Sequence, residues 1–188
     1  MTPTVLKPLN EDDYLAMEHQ ATVRHEFVHG GVYAMAGSSA NHNRVAGNLY
    51  ARLLGSPDED CNPFMSDMKL RLDFGHTYYY PDVMLVCEPD DTEAYVKTSP
   101  CMVAEVLSRS TELTDRREKW AAYHKLASLR EYLLLAQDHP YIEVYQRVDL
   151  RHWGVTVLSA GDTLELSCGK LSIAVDDLYR GVDFSQPA

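Results

Sequence analysis

CMVAEVLS, residues 101–108, is apolar along nearly its whole length and carries one carboxylate, Glu105, in its middle. A strand of this kind is apolar on both faces and needs cover on both, which places it at the centre of a sheet. REYLLLAQ, residues 130–137, repeats the pattern. Between the two, residues 112–127 set Trp120, Tyr123, His124 and Ala127 on one side of a helix. Strand, helix and strand in that order read as a crossover unit with parallel strands. The chain is therefore expected to be α/β, with a mixed β-sheet flanked by helices.

The flanking segments fit that frame. Residues 10–23 read as a helix that Asn10 caps and that Glu11, Asp12 and Asp13 favour at its positive end. Phe27, Val28, Val32 and Tyr33 straddle Gly30-Gly31, which predicts strand, turn and strand over 25–36. A second helix spans 39–54, with Val45, Ala46, Leu49, Tyr50, Leu53 and Leu54 on one face and Gly55 as its stop. MSDMKLRLDF (65–74) and YYYPDVMLVC (78–87) each read as a strand, with a turn in the DFGH region between them. YIEVYQRV (141–148) and HWGVTVLS (152–159) alternate as an antiparallel hairpin, and 163–180 give short strands and a last helical turn.

The 188 residues suit one domain, with its core over about 10–180. Apolar residues make up 45% and charged residues 24%, the balance of a globular protein. No apolar run approaches the roughly 18–20 residues that span a membrane, and MTPTVLKPLNEDDY has no signal-peptide pattern. No membrane partner and a cytoplasmic location are the expectations. Cys61, Cys87, Cys101 and Cys168 form no C-x-x-C pair. Buried free thiols are expected ahead of disulfides, and disulfides ahead of a zinc site. The net charge of −11 argues against sequence-independent coating of DNA, although a local basic patch is compatible with an acidic body.

Two acids stand where acids are costly. Asp82 follows Pro81 inside an apolar run, and Glu105 sits between Ala104 and Val106. One such residue alone is explained by a salt bridge or a strand-end cap. Two on neighbouring strands repel, and a divalent cation held between them resolves the conflict. Oxygen-only ligands favour magnesium, manganese or calcium. Asp115, Lys119 and Tyr123 follow at four-residue spacing on one helical face. Lys119 either folds back toward the carboxylates or forms a solvated ion pair with Asp115.

Pro81-Asp82, then Glu105 twenty-three residues later, resembles the PD-(D/E)xK nuclease superfamily. Leu107 stands where that pattern has lysine, and Lys119 resembles the migrated lysine of some branches. RHEFVHGGVYAMAGSSANHNRVAGNLY, SDMKLRL, YYYPDVMLVC and AEVLSRSTELTDRREKWAAYHKLASLREYLLL together resemble the Uma2 family of candidate restriction endonucleases over roughly residues 10–180. Arg109 stands where the family often has proline. The resemblance implies a restriction-endonuclease-like core and a metal-dependent endonuclease cutting DNA phosphodiester bonds. Asp82 and Glu105 would bind Mg²⁺ or Mn²⁺, Lys119 would orient water or stabilise charge, and Glu26 would complete the shell. His42 matches a recurrent family position and would contact phosphate or hold Glu26. Tyr123 is a packing or supporting residue on the Lys119 face. Lys69 and Arg71 are candidates for backbone contact. A homodimer would suit a double-strand cut.

HEFVHGG (25–31) also matches the zinc-protease pattern through His25, Glu26 and His29. A zinc hydrolase needs both histidines on one face of a helix. On a strand the two lie about 13 Å apart, too far to share one ion. The pattern therefore ranks as a remote alternative. A nearer one is a catalytically inactive nucleic-acid or protein-binding module on the nuclease fold, which the charge and Leu107 favour. Base specificity is not legible, since no basic stripe stands out.

Overall fold

The computed structural model of the chain describes residues 9–72, 76–108 and 112–185. Helix α1 (Glu11–Gln20) begins at Asn10, whose side chain accepts from the Asp13 amide at 2.8 Å. Strands β1 (His25–Val28) and β2 (Gly31–Ala34) pair as a hairpin. Its turn holds His29 at φ 49° and Gly30 at φ 88°, the second a conformation that glycine adopts without strain. Helix α2 (Ala40–Leu53) is capped by Ser39. Its face of Val45, Ala46, Leu49 and Leu53 is buried, while Leu54, expected on that face, lies beyond the last turn and is 62% exposed.

Next come β3 (Asn62–Met65), β4 (Lys69–Leu72), β5 (Thr77–Tyr79), β6 (Val83–Val86), β7 (Val96–Lys97) and β8 (Pro100–Leu107). A π-helical turn, Thr114–Lys119, leads into α3 (Trp120–Tyr123). The chain ends with β9 (Glu131–Ala136), β10 (Tyr141–Arg147), β11 (Trp153–Ser159), β12 (Thr163–Leu166), β13 (Leu171–Ala174) and α4 (Val175–Leu178).

The central sheet has six strands in the order β11-β10-β9-β8-β6-β3. As expected, β8 is buried throughout and runs parallel to β9, and β10 and β11 form an antiparallel hairpin. One face of the sheet packs against α2, α4 and the β12–β13 hairpin, through Val83, Leu85, Ala104, Val106, Leu133 and their neighbours. The other face, with Met84, Val103, Leu107 and Leu134, packs against Leu70, Leu72 and Tyr79 of a five-stranded sheet and against Tyr123. That second sheet runs β2-β1-β5-β4-β7. Cover on both faces is why β8 and β9 need no polar side.

Three expectations are corrected. YYYPDVMLVC is two strands in different sheets, and MSDMKLRLDF holds β4 and only the last residue of β3: β3 pairs β6 in the six-stranded sheet, and β4 pairs β5 in the five-stranded one. The two runs form one long hairpin bent from sheet to sheet. Pro81 explains the bend, since it lacks an amide for a ladder and restricts the residue before it. The opposite bend, at Ser66 with φ 55°, is tied by the Ser66 amide donating to the Asp82 carbonyl at 3.2 Å. The helix expected over 112–127 ends at Tyr123 and contains the π turn. The cysteines are paired, Cys61 with Cys87 and Cys101 with Cys168. Of the turn expected in the DFGH region, residues 73–75 lie outside the described residues, as does Arg109, and His76 is a turn residue at φ 46°.

Candidate active site

The bend of the long hairpin sets Asp82 where β6 begins, one residue beyond the pair Val83 and Ala104. There the backbone ladder of β6 stops and the Asp82 side chain continues it. Its Oδ2 accepts from the Val106 amide at 2.7 Å, and the Asp82 amide lies 3.4 Å from Glu105 Oε2. A side chain thus replaces a strand as the partner of β8 and draws the two acids together.

Glu105 points from β8 toward the five-stranded sheet, as Val103 and Leu107 do. Lys119 Nζ meets its Oε1 at 3.1 Å, and the Tyr123 hydroxyl donates to the same oxygen at 3.0 Å. Lys119 also lies 3.2 Å from Glu26 Oε1 and 3.3 Å from Asp115 Oδ1. Its ammonium is therefore held by carboxylates from β1, β8 and its own helix, with the Tyr79 ring 5.7 Å away. The pair with Asp115 is buried: the two side chains are 8% and 2% exposed, not solvated as an isolated i,i+4 pair would be.

Four carboxyl groups share this space with one lysine. Burial pushes the Glu105 carboxyl well above its usual range; Lys119 opposes that shift, while Asp115, Asp82 and Glu26 add to it. For Lys119, burial pulls the ammonium down, but Glu105, Glu26 and Asp115 outweigh it and hold the group well above its ordinary value. Burial beside Glu105 likewise raises Tyr123.

His42, on the first turn of α2, places Nε2 3.2 Å from Asp82 Oδ2. It was expected to hold Glu26 or phosphate, and it holds Asp82. Lys69 lies outside the cluster, with Nζ 5.6 Å over the Tyr80 ring. The structure thus brings Asp82, Glu105, Lys119, Glu26, His42 and Tyr123 together and leaves Lys69 apart. Asp115 was named in the sequence only as a possible ion-pair partner. Its spacing to Lys119 carried the signal, but nothing in the sequence showed that the pair would be enclosed.

The zinc-protease pattern dissolves in the same geometry. HEFVHGG is a strand and a turn, not a helix. Successive strand residues face opposite ways, so Glu26 reaches Lys119 while His25 Nδ1 meets Glu18 Oε2 at 3.0 Å. Among the described residues, no three His, Cys, Asp or Glu side chains stand as a preformed metal-holding group. Lys119 occupies the space between Glu26 and Glu105.

A family model described as "Putative restriction endonuclease", Uma2, matches residues 11–176. Two proteins of Synechocystis sp. are similar along almost their whole length. Uncharacterized protein slr1290 is 36% identical over 178 residues, covering 94% of each chain. Uncharacterized protein sll1609 is 37% identical over 177 residues, covering 92% of this chain and 99% of its own. Among solved structures, the fold matches that of "a putative nuclease belonging to DUF820" from Anabaena variabilis. The TM-score is 0.75 at 15% identity, covering 92% of this chain and 98% of that one.

Proposed function

The chain belongs to the Uma2 family, and from that membership we propose that it is a metal-dependent endonuclease hydrolysing DNA phosphodiester bonds, with Asp82, Glu105, Lys119 and Glu26 at its centre. The observation that supports the reading most is the enclosure of Lys119 by carboxylates of β1 and β8, beside Asp82 hooked onto the strand that carries Glu105.

The donor set suits Mg²⁺ or Mn²⁺. Asp82, Glu105 and Glu26 offer the hard oxygens such ions take. Glu105, buried and short of positive charge, is a carboxylate that a cation would keep ionised. A bound ion lowers the pKa of a water and offsets charge on the scissile phosphate. The side chains do the rest. Val106 and His42 engage Asp82 through Oδ2, which leaves Oδ1 for the ion. Tyr123 and Lys119 engage Glu105 through Oε1, so Oε2, whose one partner is the Asp82 amide at 3.4 Å, keeps a lone pair for the ion. Lys119 orients the attacking water or stabilises the charge that develops on the phosphorane oxygens.

Nicking of supercoiled plasmid with Mg²⁺ or Mn²⁺ tests this. The wild type is expected to cut, and Asp82→Ala and Glu105→Gln to lose on the order of 100-fold or more. At ten times its dissociation constant, Mg²⁺ is expected to stabilise the wild type by about 1.4 kcal/mol in thermal unfolding, and not to stabilise Asp82→Ala. A second reading, an inactive binding module on the same fold, is favoured by the charge of −11 and by Leu107 at the usual lysine position. Wild type and variants equally inert, with no Mg²⁺-dependent stabilisation, would decide for that module.

A further inference from the structure

Strand β11 forms one rim of the six-stranded sheet, and no described strand pairs with its outer side. A bare edge invites pairing with another chain, and proteins blunt such edges with shortness, proline or charge. The opposite rim is blunted: β3 has four residues, includes Pro63, and follows Asp58, Glu59 and Asp60. In the five-stranded sheet, β2 has four residues and β7 has two, one of them Lys97. Strand β11 has seven residues, WGVTVLS, with no charge and no proline, and its Val155 and Val157 are 56% and 52% exposed.

The backbone of this edge is free in a definite pattern. The Val148 amide donates to the His152 carbonyl at 2.9 Å, in register with the pairs Gln146–Gly154 and Val144–Thr156. Antiparallel ladders alternate, so the even-numbered residues of β11 bond to β10, and Trp153, Val155 and Val157 turn their amides and carbonyls outward. Ser159 would continue the row, but Asp162 already holds it. The Asp162 carboxylate accepts from the Ser159 amide at 2.8 Å, and the Asp162 amide donates to the Ser159 carbonyl at 3.0 Å.

We propose that β11 is the interface of a homodimer, in which a second copy of this chain adds its own β11 antiparallel about a two-fold axis through Val155. This register uses every free group: Val155 pairs with the partner's Val155, and Trp153 pairs with the partner's Val157. An antiparallel edge contact is self-complementary, as a two-fold interface requires. It sets Arg151 opposite the partner's Ser159, beside the Asp162 carboxylate, so opposite charges meet at both ends. On a chain of net charge −11, a stretch free of acids is also where two copies approach at least cost. The proposal stands on the sheet edge alone and does not rest on the nuclease reading.

Sedimentation velocity on the full chain tests it. The wild type is expected at twice the chain mass of 21.3 kDa at micromolar concentration. Val155→Lys, which sets two ammonium groups at the axis, is expected to weaken dimerisation roughly tenfold or more with an unchanged far-ultraviolet circular dichroism spectrum. Under mild oxidation Val155→Cys should link two chains, whereas Thr156→Cys, lying off the axis, should not. A monomeric wild type would overturn the proposal, as would a dimer that survives Val155→Lys and leaves Val155→Cys unlinked.

Discussion

Lys119 is the side chain on which the cluster depends. It touches Glu105, Glu26 and Asp115 within 3.3 Å and is 8% exposed. Removing one partner of a buried ion pair strands the other, at about 3–5 kcal/mol. Lys119→Met is expected to lower unfolding free energy by that amount at neutral pH, because three carboxylates lose one cation. The pH dependence follows from the two directions. Lys119 is held above its ordinary value of 10.5 by the carboxylates, against the pull of burial. Its contribution is therefore complete below that value and is lost only as pH climbs through the higher folded value. Glu105 is raised by burial, so its ionised form costs stability as pH rises through its folded pKa. In Lys119→Met, Glu105 would take up a proton more readily and relieve part of the strain in acid. The penalty should therefore grow from acid to neutral pH, stay level, and shrink only in strong alkali. Urea unfolding of both proteins across pH reads this directly, and a penalty independent of pH would contradict the pairing.

At the scale of elements, helix α2 is the piece that brings His42 to Asp82. Ser39 starts it by accepting from the His42 amide at 3.1 Å. The same hydroxyl donates to Gln137 Oε1, and Gln137 Nε2 donates to the Leu107 carbonyl at 3.0 Å. One side chain thus caps the helix and ties it to the ends of β8 and β9. Ser39→Ala is expected to cost about 1 kcal/mol, and Ser39→Gly only a few tenths at the cap itself. If the two variants lose the same amount in urea unfolding, the tie to Gln137 outweighs the cap. The cap of α1, the apolar face of α2, the β8–β9 crossover and the β10–β11 hairpin were legible because each rests on local chemistry or on period. The bent hairpin was not. YYYPDVMLVC is apolar on both sides of Pro81, so pattern alone could not assign its halves to separate sheets. The π turn was equally hidden, since Thr114–Lys119 has ordinary helical composition and widens where Lys119 meets carboxylates from two strands. Such turns recur at functional sites.

At the scale of the whole molecule, the sequence displayed the acids and the lysine but not how they close together, which requires the registers of two sheets. The cysteines show the same limit. Cys61 and Cys87 lie one step beyond the pair Asn62–Val86, so the β3–β6 register sets them face to face. Cys101 on β8 meets Cys168 from a turn 67 residues away, across the core between the central sheet and the β12–β13 hairpin. Free thiols were expected because spacing alone carries no register. The cross-links tie segments 26 and 67 residues apart. In the chain-entropy account, closing such loops stabilises by about 3.5 and about 4.4 kcal/mol, so the longer one matters more. Thiol titration of the unreduced, denatured chain is expected to find no free cysteine. Cys101→Ser with Cys168→Ser should then lower unfolding free energy more than Cys61→Ser with Cys87→Ser, and reduction of the wild type should exceed either. The reverse order would mean that the short cross-link governs how the bent hairpin holds Asp82 against β8, and in that case plasmid nicking should fall with it.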